Sequence, residues 1–312
     1  MRSKHKIILS ILYVIVFNTS IHAQNNDNKL VVVDGKKIAY KSFNIENRKK
    51  GEPVLVFETG LGGGTFDPIL PFLPDNISGI QYARNGVGKS EPDTEISSDL
   101  QVAERLHSLL KKLSIEPPYL LVGHSMGGPY IRLFAAKFPN EVCGLVFSDP
   151  TDFMLSSKEN EEARIKSEST TGYQEVSLII QKMMSKKKDF SQGARNDATR
   201  ALKSSATGYF QEYQNLPELN KNIAATVIIS YNKPIEEPDE ELNKNLNLGI
   251  NFKPWWKEYD NLRIQHFMDL IKENDNSRII LLPKYSHGIY YQNPELVAKL
   301  IIENYNSNIK EK

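Results

Sequence analysis

The sequence predicts an α/β fold in which helices flank a mostly parallel central sheet. Short apolar runs alternate with segments of helical spacing, which is the pattern that builds a parallel sheet. One of these runs, residues 53–57, is continuously apolar after its proline, as expected for a strand buried on both faces. Residues 156–222 contain no strand-like run and predict several amphipathic helices inserted after the sixth strand.

The elements in the first half of the chain each have a local signal. Asp34-Gly35 separates two short strands and is a strong hairpin-turn dipeptide. Ser97 or Ser98 can cap a helix whose leucines recur at spacings of three and four. The predicted elements here are strands at 30–33, 36–43, 53–57 and 80–82, a helix ending near 113, a strand at 119–122, a helix at 131–138 and a strand at 142–147.

Beyond the insertion the alternation resumes. A polar segment at 232–253 separates the next strand from a helix introduced by Trp255 and Trp256, and Pro294 stands where proline is tolerated in a first helical turn. These elements are a strand at 225–230, a helix to about 273, a strand at 278–282 and a helix at 294–304. We therefore expect one α/β core, residues 24–155 and 223–312, with residues 156–222 as a helical lid.

The composition is that of an ordinary globular protein. Of 312 residues, 40% are hydrophobic and 25% charged, which excludes collagen-like, coiled-coil and disordered chains. With 39 basic and 38 acidic residues, the chain has no global charge that would attract nucleic acid. The single cysteine, Cys143, excludes an intrachain disulfide framework. No paired His/Cys spacing indicates a metal site, and we expect no cofactor.

The first 23 residues predict a secretory signal peptide. Arg2, Lys4 and Lys6 precede an apolar run at 7–17, and the segment ends on the small residue Ala23. The run is too short to span a bilayer comfortably, and no later segment approaches 18 uninterrupted apolar residues. We expect an exported protein, periplasmic or secreted, with no stable membrane span after cleavage.

Residues 123–127 read Gly-His-Ser-Met-Gly and follow a predicted strand directly. This Gly-x-Ser-x-Gly pattern between a strand and a helix predicts a sharp turn that exposes the serine, Ser125, as a nucleophile. A serine hydroxyl needs an adjacent base, usually histidine, and an orienting carboxylate. His287 lies in a loop after the last predicted strand, whereas His107 and His266 lie within predicted helices.

These motifs resemble those of the α/β-hydrolase superfamily over nearly the whole chain after residue 23. Residues 58–64, Glu-Thr-Gly-Leu-Gly-Gly-Gly, are similar to its oxyanion loop, and residues 82–90 to its Asp-Arg-x-Gly-x-Gly-x-Ser turn, with Ala83 in place of aspartate. The resemblance implies a serine hydrolase with His287 as base. It also implies backbone N–H groups of Leu61 and Met126 as the oxyanion hole.

The acid is left open among several carboxylates. Asp149 follows strand six, where some members of the family carry the acid, and it is our preferred candidate. The strand-seven end, the commoner position, reads Tyr-Asn-Lys-Pro and lacks a carboxylate. The alternatives are Asp239, Glu236, Glu237 and Asp152.

The expected substrate is a small-molecule carboxylic ester or lactone. The predicted lid would cover Ser125, and Phe252, Trp255 and Trp256 either line its mouth or simply anchor the helix that they begin. Relatives implied by the resemblance include prolyl aminopeptidase-like enzymes and macrolide-antibiotic esterases. A ligand-binding protein on a hydrolase scaffold is the alternative of a different class, although such proteins usually lose the serine or the histidine.

Overall fold

A computed structural model describes residues 28–309, apart from the side chain of Thr207. The signal peptide expected at 1–23 lies outside this range. Within it, eight strands form one sheet. Their bounds are β1 Lys29–Val33, β2 Lys36–Phe43, β3 Val54–Glu58, β4 Ser78–Tyr82, β5 Tyr119–His124, β6 Val142–Ser148, β7 Ala224–Tyr231 and β8 Arg278–Pro283.

The strand order across the sheet is β1-β2-β4-β3-β5-β6-β7-β8. The hairpin β1–β2 and the pair β2–β4 are antiparallel, and all other neighbours are parallel. The register pairs His124 with Ser148, and Ser148 with Ile228. The residues that follow β5, β6 and β7 therefore meet at one edge of the sheet, where ligands of open parallel sheets bind.

The central strands β3 and β5 are buried on both faces because each face of the sheet has its own layer of helices. Val54 and Val56 of β3 pack into one core cluster, while Leu55 and Phe57 pack into the other. The helices are α1 Asp99–Lys112, α2 Gly127–Lys137, α3 Ser157–Lys166, α4 Tyr173–Lys186, α5 Gln192–Ser204, α6 Glu237–Asn245, α7 Phe252–Ile271, α8 Ile289–Gln292 and α9 Pro294–Ser307. Helices α1, α2 and α7 contribute to the first cluster, and α9 contributes to the second.

Three helices differ from the sequence-based expectation, and one of them is the four-residue α8 in the predicted loop before Pro294. Helix α2 begins at Gly127, four residues before the expected Ile131, because the turn at residues 123–127 leads directly into it. We call this turn the elbow. Helix α6 lies in the polar segment at 232–253, for which no helix was predicted. It is short and acidic, with Pro238 in its first turn and Leu242 as its buried apolar residue, so it carries almost no hydrophobic periodicity.

Helices α3, α4 and α5 and the 3₁₀ turns Ser205–Thr207 and Gln211–Tyr213 all lie between β6 and β7. We call residues 157–213 the inserted helices. Their presence agrees with the helical segment expected there. Ser156 caps α3, and α3 packs on α7, while α4 packs on α5. Among the helices of residues 28–309, none is long and apolar enough to cross a membrane.

Candidate active site

Ser125 sits on the turn between β5 and α2. Its φ of 53° is in the left-handed region, which is uncommon for a residue with a side chain and marks local strain. The flanking glycines are required by close backbone contacts. A β-carbon at Gly123 would lie 2.5 Å from the carbonyl oxygen of Gly127, and one at Gly127 would clash with the carbonyl oxygen of Glu58. The turn therefore holds the serine in one strained conformation.

His287 lies in the loop after β8 and is hydrogen-bonded to Asp149, which follows β6. The distance between His287 Nδ1 and Asp149 Oδ2 is 2.5 Å. Asp149 has a φ of 43° and is completely buried. A carboxylate only accepts, so the ring hydrogen of His287 is on Nδ1. In the neutral ring, Nε2 is then the nitrogen that can accept a proton.

Asp149 stays ionised because of the cations behind it. Its Oδ1 accepts from the Ser230 N–H at 2.8 Å and lies 3.1 Å from Arg263 Nη1. Lys233 and Arg263 each donate to Asp260 Oδ1 at 2.9 Å, which holds both cations close to the site. Burial alone would raise the pKa of Asp149, but the positive charges of Arg263 and Lys233 and the His287 hydrogen bond hold it well below its usual range.

The other candidate carboxylates have different surroundings. Asp152 Oδ2 lies 2.8 Å from Nδ1 of His266 on α7. Asp239 accepts from the backbone N–H of Glu236 at 3.2 Å, which places both at the start of α6. Glu237 is the first residue of that helix and is exposed. Asp149 is thus the carboxylate seen hydrogen-bonded to the ring of His287.

His124, which precedes Ser125, contacts the loop that carries His287. Its Nε2 lies 3.1 Å from the carbonyl oxygen of His287, and the two ring centroids are 4.7 Å apart. A carbonyl only accepts, so His124 Nε2 carries the hydrogen. Burial, with the nearby His287, lowers the pKa of His124 to about 3, which keeps this ring neutral. Its position beside the serine is the only sequence signal for this role.

The loop after β3 lies against the elbow. A β-carbon added at Gly60 would lie 3.0 Å from Ser125 Cβ, so the glycine permits this close approach. Leu61 and Met126, the two expected oxyanion donors, are both buried. Among residues 28–309, none of the backbone–backbone hydrogen bonds seen in turns, loops and caps uses the N–H of Leu61 or of Met126.

The three aromatic residues considered for the substrate pocket are buried at the start of α7. Trp255 is fully buried and donates from Nε1 to the carbonyl oxygen of Thr171 at 3.0 Å. The Lys233 ammonium lies 4.3 Å from the ring centroid of Trp256. These contacts, with the burial of Phe252, anchor the helix. The cavity beside Met126 is lined by other residues, which include Gln181, Tyr209, Phe210 and Tyr213 of the inserted helices.

Several residues make contacts near the site that the sequence does not predict. Arg263 reads as one more charged residue of a helix, yet it reaches Asp149. Arg84 stands out only as part of a turn motif, and Asp197 of α5 lies in a polar stretch, yet the two side chains pair at 2.7 Å beside the Gly60 loop. In the part of the chain that the structure describes, no group of three or more His, Cys, Asp or Glu side chains could hold a metal ion.

Comparison with known proteins agrees with this architecture. A family model described as the alpha/beta hydrolase fold matches residues 53–233. The Bacillus subtilis (strain 168) protein YqjL, itself uncharacterized, is 37% identical over 113 residues, which is 35% of this chain and 44% of that protein. The monoacylglycerol lipase ABHD6 of Bos taurus is 24% identical over 249 residues, 75% of this chain and 69% of that protein.

The solved structure of a thermophilic esterase from Thermogutta terrifontis superimposes with a TM-score of 0.56 at 17% identity, covering 92% of this chain and 100% of that one. At this identity the similarity shows the fold. The matches to the first curated relatives span less than half the length of those proteins. The family match covers more than half of this chain and includes residues 58–64 and 123–127. The chain belongs to the alpha/beta hydrolase fold family.

Proposed function

We propose that this protein is a serine hydrolase that cleaves a carboxylic ester or lactone through an acyl-enzyme on Ser125. The observation that carries the proposal is the 2.5 Å hydrogen bond between His287 and the buried carboxylate of Asp149, at the sheet edge where the strained Ser125 turn also lies. Relatives and structural neighbours named as a lipase and an esterase support ester chemistry.

In the proposed mechanism, Ser125 Oγ attacks the ester carbonyl and its proton passes to Nε2 of His287. Asp149 holds the ring through Nδ1 and stabilises the cation that forms. The N–H groups of Leu61 and Met126 donate to the tetrahedral oxyanion. The C–O bond to the leaving alcohol breaks as His287 returns the proton to that oxygen. Water then attacks the acyl-enzyme with the same base, which releases the acid and restores Ser125.

The inserted helices are the proposed lid and supply part of the proposed substrate pocket. This proposal is supported by the cavity that Gln181, Tyr209 and Phe210 of the inserted helices share with Met126. The lining of this cavity combines polar and aromatic side chains, as is common in small-molecule sites. Prolyl aminopeptidase-like and macrolide-esterase activities use the same catalytic groups and are therefore included in the substrate panel below.

The test is hydrolysis of p-nitrophenyl butyrate by the wild type and by Ser125→Ala, with Ser148→Ala as the matched control. Ser148 is a buried serine at the end of β6. We expect Ser125→Ala to lose both turnover and labelling by a fluorophosphonate probe, and Ser148→Ala to retain both. Turnover by a folded Ser125→Ala protein would contradict the proposal. An unreactive wild type would favour a ligand-binding protein. A panel of esters, lactones and aminoacyl arylamides then ranks the substrate classes.

We also propose that the protein is exported, on the basis of the charged, apolar and small-residue order of residues 1–23. Expression of the full chain, fractionation and N-terminal sequencing test this. A mature protein that begins at Gln24 outside the cytoplasm is the expected result. An uncleaved chain in the cytoplasm would contradict export.

A further inference from the structure

A buried ion-pair network joins the inserted helices to the loop after β3. It consists of Glu58, Arg84, Asp197, Arg200 and Asp99, all of them nearly inaccessible to solvent. Arg84 pairs with Glu58 and lies 2.7 Å from Asp197. Arg200 lies 2.9 Å from Asp197 and 3.1 Å from Asp99. Asp197 and Arg200 belong to α5, so the network crosses from the insertion to the core.

Arg84 holds the peptide unit that precedes Leu61. It donates to the carbonyl oxygen of Thr59 at 2.7 Å and also to the carbonyl oxygen of Gly60. The Gly60 carbonyl and the Leu61 N–H belong to the same planar, trans peptide, so they point in opposite directions. A hydrogen bond that fixes the Gly60 carbonyl therefore also fixes the direction of the Leu61 N–H.

Asp197 holds the peptide unit that follows Leu61. Its Oδ2 accepts from the Gly62 N–H at 2.9 Å, and the same oxygen accepts from Arg84 Nη2 at 2.7 Å. Both peptide planes that flank Leu61 are thus held by two side chains that also hold each other. Leu61 has no polar side chain of its own with which to fix its backbone.

We propose that Asp197 is a positioning residue that couples the inserted helices to the oxyanion loop by fixing the Leu61 N–H toward Ser125. This inference rests on the proposed serine-hydrolase function. It predicts that the oxyanion hole is correctly formed only while α5 is docked on the loop. A displacement of α5 that removes Asp197 would release Gly62 directly and leave Arg84 without one of its two carboxylate partners.

Asp197→Asn tests this coupling, and Asp93→Asn is the matched control. Both replace a buried carboxylate that pairs with an arginine, Asp197 with Arg84 and Asp93 with Arg105, but only Asp197 contacts the Gly62 N–H. In Asp197→Asn we expect kcat for p-nitrophenyl butyrate to fall by about 10- to 100-fold, less than for complete loss of an oxyanion donor. KM should stay within about threefold, because the lost interaction matters mainly in the transition state. Asp93→Asn should keep kcat within about threefold of the wild type.

A second readout separates positioning from general destabilisation. A boronic acid inhibitor forms a tetrahedral adduct that needs the oxyanion hole, so its affinity should fall in Asp197→Asn in parallel with kcat. If that variant does not fold, Asp197→Glu, which retains the charge but shifts the oxygens by one methylene, carries the same comparison. Losses of kcat and boronate affinity in the control Asp93→Asn that equal those of the Asp197 variant would overturn the inference. A wild type whose turnover does not depend on Ser125 would instead overturn the proposed function.

Discussion

Replacing Asp149 with asparagine is the sharpest test of the proposed acid. The side chain keeps its shape, but one carboxylate oxygen becomes an NH₂ group. The Oδ1 position faces two donors, the Ser230 N–H at 2.8 Å and Arg263 at 3.1 Å, so the amide oxygen must occupy it. The NH₂ group then faces His287 and donates to Nδ1. This moves the hydrogen of the neutral ring to Nε2, where it blocks proton transfer from Ser125.

The expected loss is that of a base held in the wrong tautomer. We expect kcat to fall by about 10³- to 10⁴-fold, by analogy with the same substitution in a Ser-His-Asp triad. This corresponds to about 4–5 kcal/mol of added activation free energy. The fold should survive, because Arg263 keeps its 2.9 Å contact with Asp260 and the buried volume is unchanged.

The assay is p-nitrophenyl butyrate turnover, with folding checked by circular dichroism. Asp239→Asn and Asp152→Asn are the controls, since both replace a buried carboxylate that was a candidate acid. Each should keep kcat within about tenfold of the wild type, as expected for changes away from the reacting atoms. The reasoning is refuted if Asp239→Asn loses as much activity as Asp149→Asn, or if a folded Asp149→Asn protein loses less than about tenfold.

Two further predictions follow from contacts around the site. Burial would lower the pKa of His266, but hydrogen bonds and charge from Asp152 and Glu159 raise it to about 9. The contact of protonated His266 with these two carboxylates therefore stabilises the fold fully below pH 6.5, and this stabilisation is lost as the pH rises toward 9. Because His266 is partly exposed, its contacts should contribute about 1–2 kcal/mol to the free energy of unfolding. Urea unfolding at pH 6 and pH 9.5 should show the loss of this contribution in the wild type but not in His266→Gln. Gly60→Ala should lower kcat/KM by about 10- to 100-fold, because its methyl group would press on Ser125 Cβ at 3.0 Å; unchanged fluorophosphonate labelling would contradict this.

The elements that could be predicted from sequence are those with a strong local signal. The apolar runs of β3 and β5 are buried on both faces, and Ser98 caps α1 as one of the two expected serines. Helix α6 could not be predicted because its nine residues are mostly charged and its stability depends on packing rather than on periodicity. The early start of α2 could not be predicted because glycines disfavour helix locally, whereas the tightly packed elbow requires them.

The sequence by itself determined the fold family and the serine turn, because both depend on patterns within short segments. Which carboxylate faces His287 was decided only by the tertiary structure. Asp149 and His287 are 138 residues apart, and sequence alone left five carboxylates open. The parallel register of β6 and β7 fixes the position of Asp149, since it buries this residue beside Ser230 and within reach of Arg263. Contacts of this kind arise between strand ends and helices distant in sequence, so no local pattern encodes them.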